Sequence, residues 1–365
     1  MNERKKILII RLGAIGDIIR TLPAVKYLSE NLKEEHQIFW LTEKQNSNIL
    51  ENLSYINKLV KIPRKEWQKQ IFSKNFLKVI FDFKNIIKDL KNEKFDYVLD
   101  FHGIFKSGLL SYLTNCPVRI GYSKKFCKEL NHIFNNVHID AESDKITRIE
   151  KNFSLLAYFF NKKIKPEKFG DLFEIKENDK IVTENFIKKL TYKNIILINP
   201  AVSKIGRYKE WPEKYYSKLC ILLAETYKET SIVFSWGPGE FEKIERIING
   251  IKNISNSHNN RIFTAPATTV KESVYLISKA SLFITGDTGP MHIASLLNIQ
   301  LVALFGPSDP EINKPYGKNN IVLYKNTGCN PCRKRKCKKL ICQANLDPNF
   351  VFEKILTYYK KIELD

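Results

Sequence analysis

Short apolar runs alternate with longer amphipathic stretches along most of the chain. The short runs are typical of buried strands, and the longer stretches carry apolar residues every three or four positions, as helices do. The pattern therefore predicts an α/β protein built on parallel sheets. The predicted strands are 6–11, 37–41, 97–101, 194–199, 231–235, 282–285 and 301–305, and the predicted helices include 16–32 and 76–92.

A charged segment without a long apolar run, residues 162–193, separates the two halves. This composition is typical of an inter-domain connection followed by a surface helix. We place the boundary near residue 175, so that residues 1–175 and 176–347 form two domains. Residues 348–365 begin with a proline and continue with helical periodicity, which predicts a terminal helix docked on another element.

Composition supports two folded domains and points to an anionic partner. The 365 residues are 43% hydrophobic, which is sufficient for packed cores and excludes a disordered chain. Lys and Arg number 60 against 39 Asp and Glu, a formal net charge of +21. Phosphorylated lipid, nucleotide and nucleic acid all fit this charge, although a compositional bias of the source genome would also produce it.

The sequence shows neither a signal peptide nor a spanning segment. The apolar run 7–10 is interrupted at Arg11, and no stretch approaches the roughly 18 apolar residues that a spanning helix needs. We therefore expect a cytoplasmic protein that is soluble or lies at a membrane surface.

Two loops of the first half carry candidate chemistry. In RLGAIGD, Gly13 and Gly16 lie between the first predicted strand and its helix, and Asp17 falls in the first helical turn. Asp17 either complements the helix dipole or acts as a general base at the carboxyl end of the sheet. After the strand at 97–101, His102 and Lys106 are either ordinary solvated side chains or binding groups for an anionic acceptor.

Three loops of the second half are candidates for binding a nucleotide. The loop 199–212 holds Ser203, Lys204 and Lys209, which would clamp a diphosphate unless the loop is merely basic. In SWGPGEFE, Glu240 or Glu242 either accepts from ribose hydroxyls or caps a helix.

The segment 282–310 is the most informative, because strand, turn, helix, strand and turn follow within it. Asp287, Thr288 and Gly289 precede a helix whose amides would face a diphosphate. His292 lies one turn into this helix and is either a binding group or a packing residue.

These motifs together resemble the ADP-heptose:lipopolysaccharide heptosyltransferases of glycosyltransferase family nine. The resemblance rests on ILIIRLGAIGDIIRTLPAV, the loop ending in KEWP, and GDTGPMHIASLLNIQLVALFGPSDP, with DFHGIFKS and SWGPGE between them, and it is most like heptosyltransferase I. It implies a GT-B fold: two Rossmann-like domains facing across a cleft, an acceptor domain first and a nucleotide-sugar domain second, with the terminal helix returning to the first. It also implies inverting transfer without metal or cofactor.

The resemblance implies a role for each candidate residue. Asp17 would deprotonate the acceptor hydroxyl. ADP-heptose would bind at Ser203, Lys204, Lys209, Glu240, Asp287, Thr288, Gly289 and His292. The acceptor, Kdo-lipid A or a related anionic glycolipid at the inner leaflet, would bind at Gly13, Arg64, Lys65, Lys69, His102, Lys106 and Lys128. The protein would then work at the cytoplasmic face of the inner membrane, with no nucleic acid involved. Which core sugar accepts the heptose is left open, and a second heptose is the alternative.

Two features support alternative interpretations. Cys329, Cys332, Cys337 and Cys342 bind a structural zinc ion, remain reduced thiols or form an adventitious disulfide. The basic run RKRKCKK would suit a nucleic-acid-binding protein, which would keep its affinity after Asp17→Asn, whereas a transferase would lose activity. A sugar-nucleotide hydrolase or epimerase would share the diphosphate loops without needing an acceptor surface.

Overall fold

The computed structural model describes residues 4–71, 76–166, 169–202, 204–255, 257–332 and 334–359. The chain divides into two compact units, Met1–Glu174 and Ile175–Asp365. Each unit is built on its own six-stranded parallel sheet.

The first unit has the strand order β3-β2-β1-β4-β5-β6. Its central strand is apolar on both faces, with Ile7 to Ile10 completely buried, as expected for a parallel sheet covered by helices on both sides. The described elements are β1 (Lys5–Ile10), α1 (Ile15–Asn31), β2 (His36–Glu43), β3 (Lys58–Ile62), α2 (Arg64–Ile71), α3 (Phe76–Asn92), β4 (Tyr97–Asp100), α4 (Phe105–Leu113), β5 (Val118–Tyr122), β6 (Val137–Ile139), α5 (Arg148–Ser154) and α6 (Ala157–Phe160).

The second unit has the strand order β12-β11-β10-β7-β8-β9. Its elements are α7 (Ile181–Ile187), β7 (Asn194–Asn199), α8 (Glu213–Thr226), β8 (Thr230–Phe234), α9 (Phe241–Ile254), β9 (Ile262–Thr264), α10 (Val270–Ser278), β10 (Leu282–Gly286), α11 (Gly289–Leu296), β11 (Leu301–Phe305), α12 (Pro310–Asn313), β12 (Asn320–Tyr324), α13 (Ile341–Ala344) and α14 (Pro348–Tyr358).

The strand order of each sheet reverses once, and this sets the position of the candidate sites. The reversal lies between β1 and β4 in the first unit and between β7 and β10 in the second. In open α/β sheets, ligands bind outside the carboxyl ends of the strands at such a switch point. The loops after these four strands are among those that the sequence singled out.

The predicted central elements are present, and the missed ones are mostly edge strands. Strands at 194–199 and 301–305 and the helix at 76–92 have the predicted bounds. Strand β3 reads KLVKI and is mostly exposed or half-buried, so its lysines hide the apolar run that marks a central strand.

The described part of the terminal helix packs on the core of the second unit. Val351, Ile355 and Tyr359 join the core of the second unit, where α14 packs on α8, and the Tyr359 hydroxyl donates to the Leu301 carbonyl oxygen at 3.0 Å. The apolar face of this helix completes the cover that α8 begins on the sheet. The described helix therefore packs within the second unit, and the return of the terminal segment to the first domain stays a prediction.

Candidate functional site

A cluster of charged side chains lies where β1 ends and α1 begins. Arg11 follows β1, and Asp17 and Arg20 lie in the first two turns of α1. Arg11 Nη2 is 2.9 Å from Asp17 Oδ2, and Arg20 donates to Asp17 Oδ1. Arg11 also donates to the carbonyl oxygen of Phe101, which joins the carboxyl end of β1 to that of β4. Asp17 is thus held between two cations at the switch point of the first sheet.

The surroundings of Asp17 keep its carboxylate ionised. Burial by itself would raise the pKa of Asp17, but the charges of Arg11 and Arg20 outweigh it and hold the pKa well below its usual range. The side chain keeps 29% of its surface exposed. A hydroxyl group can therefore approach a carboxylate that is charged throughout the neutral pH range.

The loop after β4 is shaped by a buried carboxylate that the sequence analysis did not single out. Asp100 accepts hydrogen bonds from the backbone N–H groups of His102 (2.9 Å) and Gly103 (3.1 Å), and from Ser107 Oγ (2.8 Å) and Asn131 Nδ2 (2.6 Å). Burial raises the pKa of Asp100. These four bonds fix the loop backbone, so Asp100 positions His102 beside the Asp17 cluster.

His102 is neutral in the folded protein. The Leu12 N–H donates to His102 Nδ1 at 3.3 Å, which requires that nitrogen to be unprotonated. Burial, with the nearby charge of Arg11, lowers the pKa of His102 to about 3. The ring therefore offers an N–H donor at Nε2 to a ligand, not a positive charge.

The low pKa of His102 predicts a pH-dependent stability. The unfolded chain binds a proton at a histidine pKa of about 6.5, whereas the folded chain does so only near 3. The part of the free energy of unfolding that depends on a neutral His102 is therefore present above pH 6.5 and is lost as the pH falls towards 3. We expect the Tm of the native protein to fall more between pH 7 and pH 4 than that of His102→Gln, in matched thermal unfolding experiments. Equal slopes for the two proteins would contradict a neutral, buried His102.

The other predicted acceptor residues of the first unit lie at varying distances from this cluster. A Cβ at Gly13 would come within 2.6 Å of Asn46 Nδ2, so this position favours glycine for packing as well as for ligand approach. Arg64 Nη1 is 2.6 Å from Glu43 Oε1. The positive charges of Arg64 and Lys106 help to lower the pKa of His102. Three further predicted residues are exposed lysines, namely Lys65 and Lys69 on α2 and Lys128 after the strand β5.

Three arginines of this cluster were missed. Arg11 and Arg20 lie in the segment RLGAIGDIIR, and the spacing of Asp17 and Arg20 is that of an ion pair on one helical face. Arg148, at the start of α5, is the third: burial, then the charge of Arg20, lowers its pKa. It is brought in from far along the chain, so no local pattern could have revealed it.

The second unit holds a matching cluster at its own switch point. Lys209 follows β7 at the end of a short 3-10 helix, Lys204–Lys209, and its Nζ lies 2.6 Å from Asp287 Oδ2, directly after β10. Ser308 Oγ, after β11, donates to the same carboxylate oxygen at 2.6 Å. Burial would raise the pKa of Asp287, but Lys209 and Ser308 lower it. Asp287 therefore holds the Lys209 ammonium in place at the carboxyl ends of the central strands.

This cluster lies beside the start of α11. Thr288 is the residue before the helix, Gly289 begins it, and a proline occupies its first turn. The Thr288 hydroxyl is 3.2 Å from that of Thr285. Free amides at a helix start favour an anion, and Lys209 adds a charge-assisted donor. His292 is 3% exposed, so its burial favours the packing interpretation.

Most of the remaining residues predicted to bind the nucleotide-sugar donor lie within the described structure. Glu240 Oε2 accepts the Gly237 N–H at 2.7 Å and so closes the turn after β8, and burial raises the Glu240 pKa. Glu242 is exposed in the first turn of α9. Lys204 begins the 3-10 helix that ends at Lys209. Ser203 lies outside the described residues.

The cysteine-rich segment is hydrogen-bonded to the loop that carries Ser308. The Cys332 N–H donates to the Pro307 carbonyl oxygen at 2.8 Å, and Asn330 Nδ2 donates to that of Gly306 at 2.9 Å. The cysteines are free thiols. Within the described ranges, no three His, Cys, Asp or Glu side chains are arranged to hold a metal ion. The described residues therefore provide no set of ligands for the zinc ion that the sequence offered as an alternative.

Comparison with known proteins identifies relatives of both units. The family model described as glycosyltransferase family 9 (heptosyltransferase) matches residues 83–341. Lipopolysaccharide heptosyltransferase 1 of Campylobacter coli is 26% identical over 330 residues, 88% of this chain and 90% of that protein. The Escherichia coli K12 protein of the same name is 24% identical over 324 residues, 87% of this chain and 92% of that protein.

Solved structures show the same fold. The E. coli heptosyltransferase WaaC with ADP superposes with a TM-score of 0.73 at 23% identity, covering 97% of this chain and 99% of that one. A family 9 glycosyl transferase from Veillonella parvula gives a TM-score of 0.75 at 18% identity and covers 97% of each chain. The predicted fold class, GT-B with two Rossmann-like units, is confirmed.

Proposed function

Because the chain belongs to glycosyltransferase family 9, the heptosyltransferase family, we propose that it moves heptose from ADP-heptose to the Kdo-containing inner core of lipopolysaccharide. The observation that carries the donor half of this proposal is the Lys209 ammonium, fixed by Asp287 beside the amides of α11. A fixed cation next to a helix start suits a diphosphate. The named relatives, which are lipopolysaccharide heptosyltransferases, support the acceptor.

The proposed reaction is a single displacement with inversion. The acceptor hydroxyl oxygen forms a bond to the anomeric carbon of heptose, while the bond from that carbon to the diphosphate oxygen breaks and its electron pair leaves with ADP. Asp17 takes the hydroxyl proton. Negative charge then grows on the diphosphate, where Lys209 and the first amides of α11 provide positive potential that is already in place. The second unit would thus hold the donor, with Thr288 and Gly289 at the phosphates and Glu240 as the candidate for the ribose.

The low pKa of Asp17 bears on its role as the base. Arg11 and Arg20 stabilise its charged form, so it accepts a proton only as the hydroxyl proton becomes strongly acidic during bond formation. The first unit would also supply the acceptor site, through His102, Lys106 and the exposed lysines. An acceptor that carries carboxylates and phosphates would use those cations.

The proposed place of action is the cytoplasmic face of the inner membrane, where the lipid part of the acceptor lies. None of the described helices combines the length and hydrophobicity of a bilayer-spanning segment. Association would then be peripheral, supported by the net charge of +21.

The proposal is tested by measuring ADP release from ADP-heptose with and without Kdo-lipid A. We expect release that depends on the acceptor, together with a heptosylated product whose anomeric configuration is inverted. Equal release without acceptor would indicate a hydrolase. No release and no binding of ADP-heptose would show that the donor assignment is wrong.

A further inference from the structure

An exposed apolar surface lies at the start of α3. Phe76, Leu77, Ile80 and Phe81 are 52%, 75%, 37% and 64% exposed, respectively. We call these four residues the apolar end of α3. They follow one another on one side of the helix, because helical neighbours recur every three or four positions. Clustered apolar side chains of this size on a protein surface mark a contact with a partner or a membrane.

Further along α3, the side that begins with Phe76 and Ile80 anchors the helix to the first unit. Ile87 and Leu90 are buried in the core, and Phe83 and Ile86 pack against its margin. The Trp67 ring of α2 meets that of Phe83 edge-to-face, with 6.1 Å between centroids. The apolar end therefore lies beyond the part of the helix that packs on the core of the first unit.

The exposed side of α3 becomes basic towards its carboxyl end. Lys84, Lys88 and Lys91 are exposed there and line a groove of about 470 Å³ whose apolar wall includes Ile87 and Leu113. One side of a single helix thus presents four large apolar side chains followed by three ammonium groups. An apolar cluster beside ammonium groups suits an anionic membrane surface, where apolar groups enter the acyl boundary and lysines contact phosphate headgroups.

We propose that this side of α3 docks on an anionic phospholipid bilayer. The apolar end enters the interfacial layer, and Lys84, Lys88 and Lys91 contact lipid phosphates. The three lysines favour an anionic surface. The choice of a bilayer as that surface rests on the proposed function, because the proposed lipopolysaccharide-core acceptor is anchored in a bilayer. Docking through α3 would hold the first unit at the surface in which that acceptor is anchored.

The test measures binding of the full-length protein to vesicles by sedimentation. Vesicles are made of phosphatidylcholine alone or with phosphatidylglycerol. We expect Leu77→Ser/Phe81→Ser to lower the partition coefficient on phosphatidylglycerol vesicles about tenfold. Each substitution removes an apolar side chain whose transfer from water into the membrane interface favours binding. Lys84→Gln/Lys88→Gln should cause a similar loss on phosphatidylglycerol vesicles and little change on neutral ones. The control, Ile181→Ser/Ile254→Ser, removes two exposed apolar side chains of the second unit and should bind like the native protein.

Two further measurements separate the other outcomes. If the apolar end instead binds a second copy of this chain, sedimentation velocity without lipid will show a dimer that Leu77→Ser/Phe81→Ser abolishes, and that result overturns the proposal. Equal vesicle binding by this variant and the native protein also overturns it.

Turnover of a water-soluble core oligosaccharide keeps docking distinct from the proposed activity. Leu77→Ser/Phe81→Ser should retain native turnover of this lipid-free acceptor, and a parallel loss would overturn a docking role. If the native protein shows α3-dependent vesicle binding but no heptose transfer, docking stands and the proposed function fails.

Discussion

Asp17→Asn is expected to lower kcat for heptose transfer by about 10²- to 10⁴-fold, the usual contribution of a positioned general base. Asparagine keeps the size and the hydrogen-bonding oxygen of the side chain but cannot accept the hydroxyl proton. It also removes the anion between Arg11 and Arg20, which are left facing each other. The measurement is steady-state ADP release with the Kdo-containing acceptor.

A split between kcat and KM distinguishes a base from a residue that only positions the arginines. If Asp17 is the base, kcat falls while the KM for the acceptor changes little. If Asp17 serves only to place Arg11 and Arg20, the KM rises and kcat is largely kept. The matched control is Asp96→Asn. Asp96 contacts Lys5 and the Lys6 N–H at the amino edge of the same sheet, so its loss should leave transfer within a few-fold of native.

The pH profile gives a second check on the same residue. Because Arg11 and Arg20 hold the pKa of Asp17 below its ordinary range, its protonation should not limit kcat/KM at any pH above about 4, near the ordinary aspartate value. An acid limb in the neutral range that disappears in Asp17→Asn would contradict this environment.

The second large effect is expected at Lys209. Replacing it with Met keeps most of the aliphatic volume but removes the cation beside α11, so kcat/KM for ADP-heptose should fall about 10²- to 10³-fold. The Asp287 carboxylate, whose side chain is only 8% exposed, would also lose its ion pair. ADP affinity, measured by calorimetry, should fall along with activity.

Asp287→Asn tests whether Asp287 acts through Lys209. We expect a smaller loss than for Lys209→Met, and a double variant whose loss is less than the product of the two single losses, because both act on one ammonium group. The control is Lys214→Met, an exposed lysine on α8 that stacks on Tyr215. If Lys214→Met weakened ADP binding as much as Lys209→Met, the effect would come from general charge and not from the cluster.

Sequence reasoning located the loops because parallel sheets make the relevant signals local. A buried strand is a continuous apolar run, and the residues that follow it reach the carboxyl edge of the sheet without any knowledge of distant contacts. Asp17, His102, Lys209 and Asp287 were all predicted for this reason. Edge strands such as β3 were missed, since partial exposure admits lysines that obscure the run.

The sequence by itself determined the fold class, the central strands, the boundary region and the loops that carry Asp17 and Lys209. Tertiary structure decided which charges meet. It paired Asp17 with Arg11, set Asp287 against Lys209 and Ser308, and placed Asp100 under the loop of His102. It also packed α14 on α8 and left the apolar end of α3 exposed. Periodicity reports which side of an element is apolar, but only the packed chain determines whether another element covers that side.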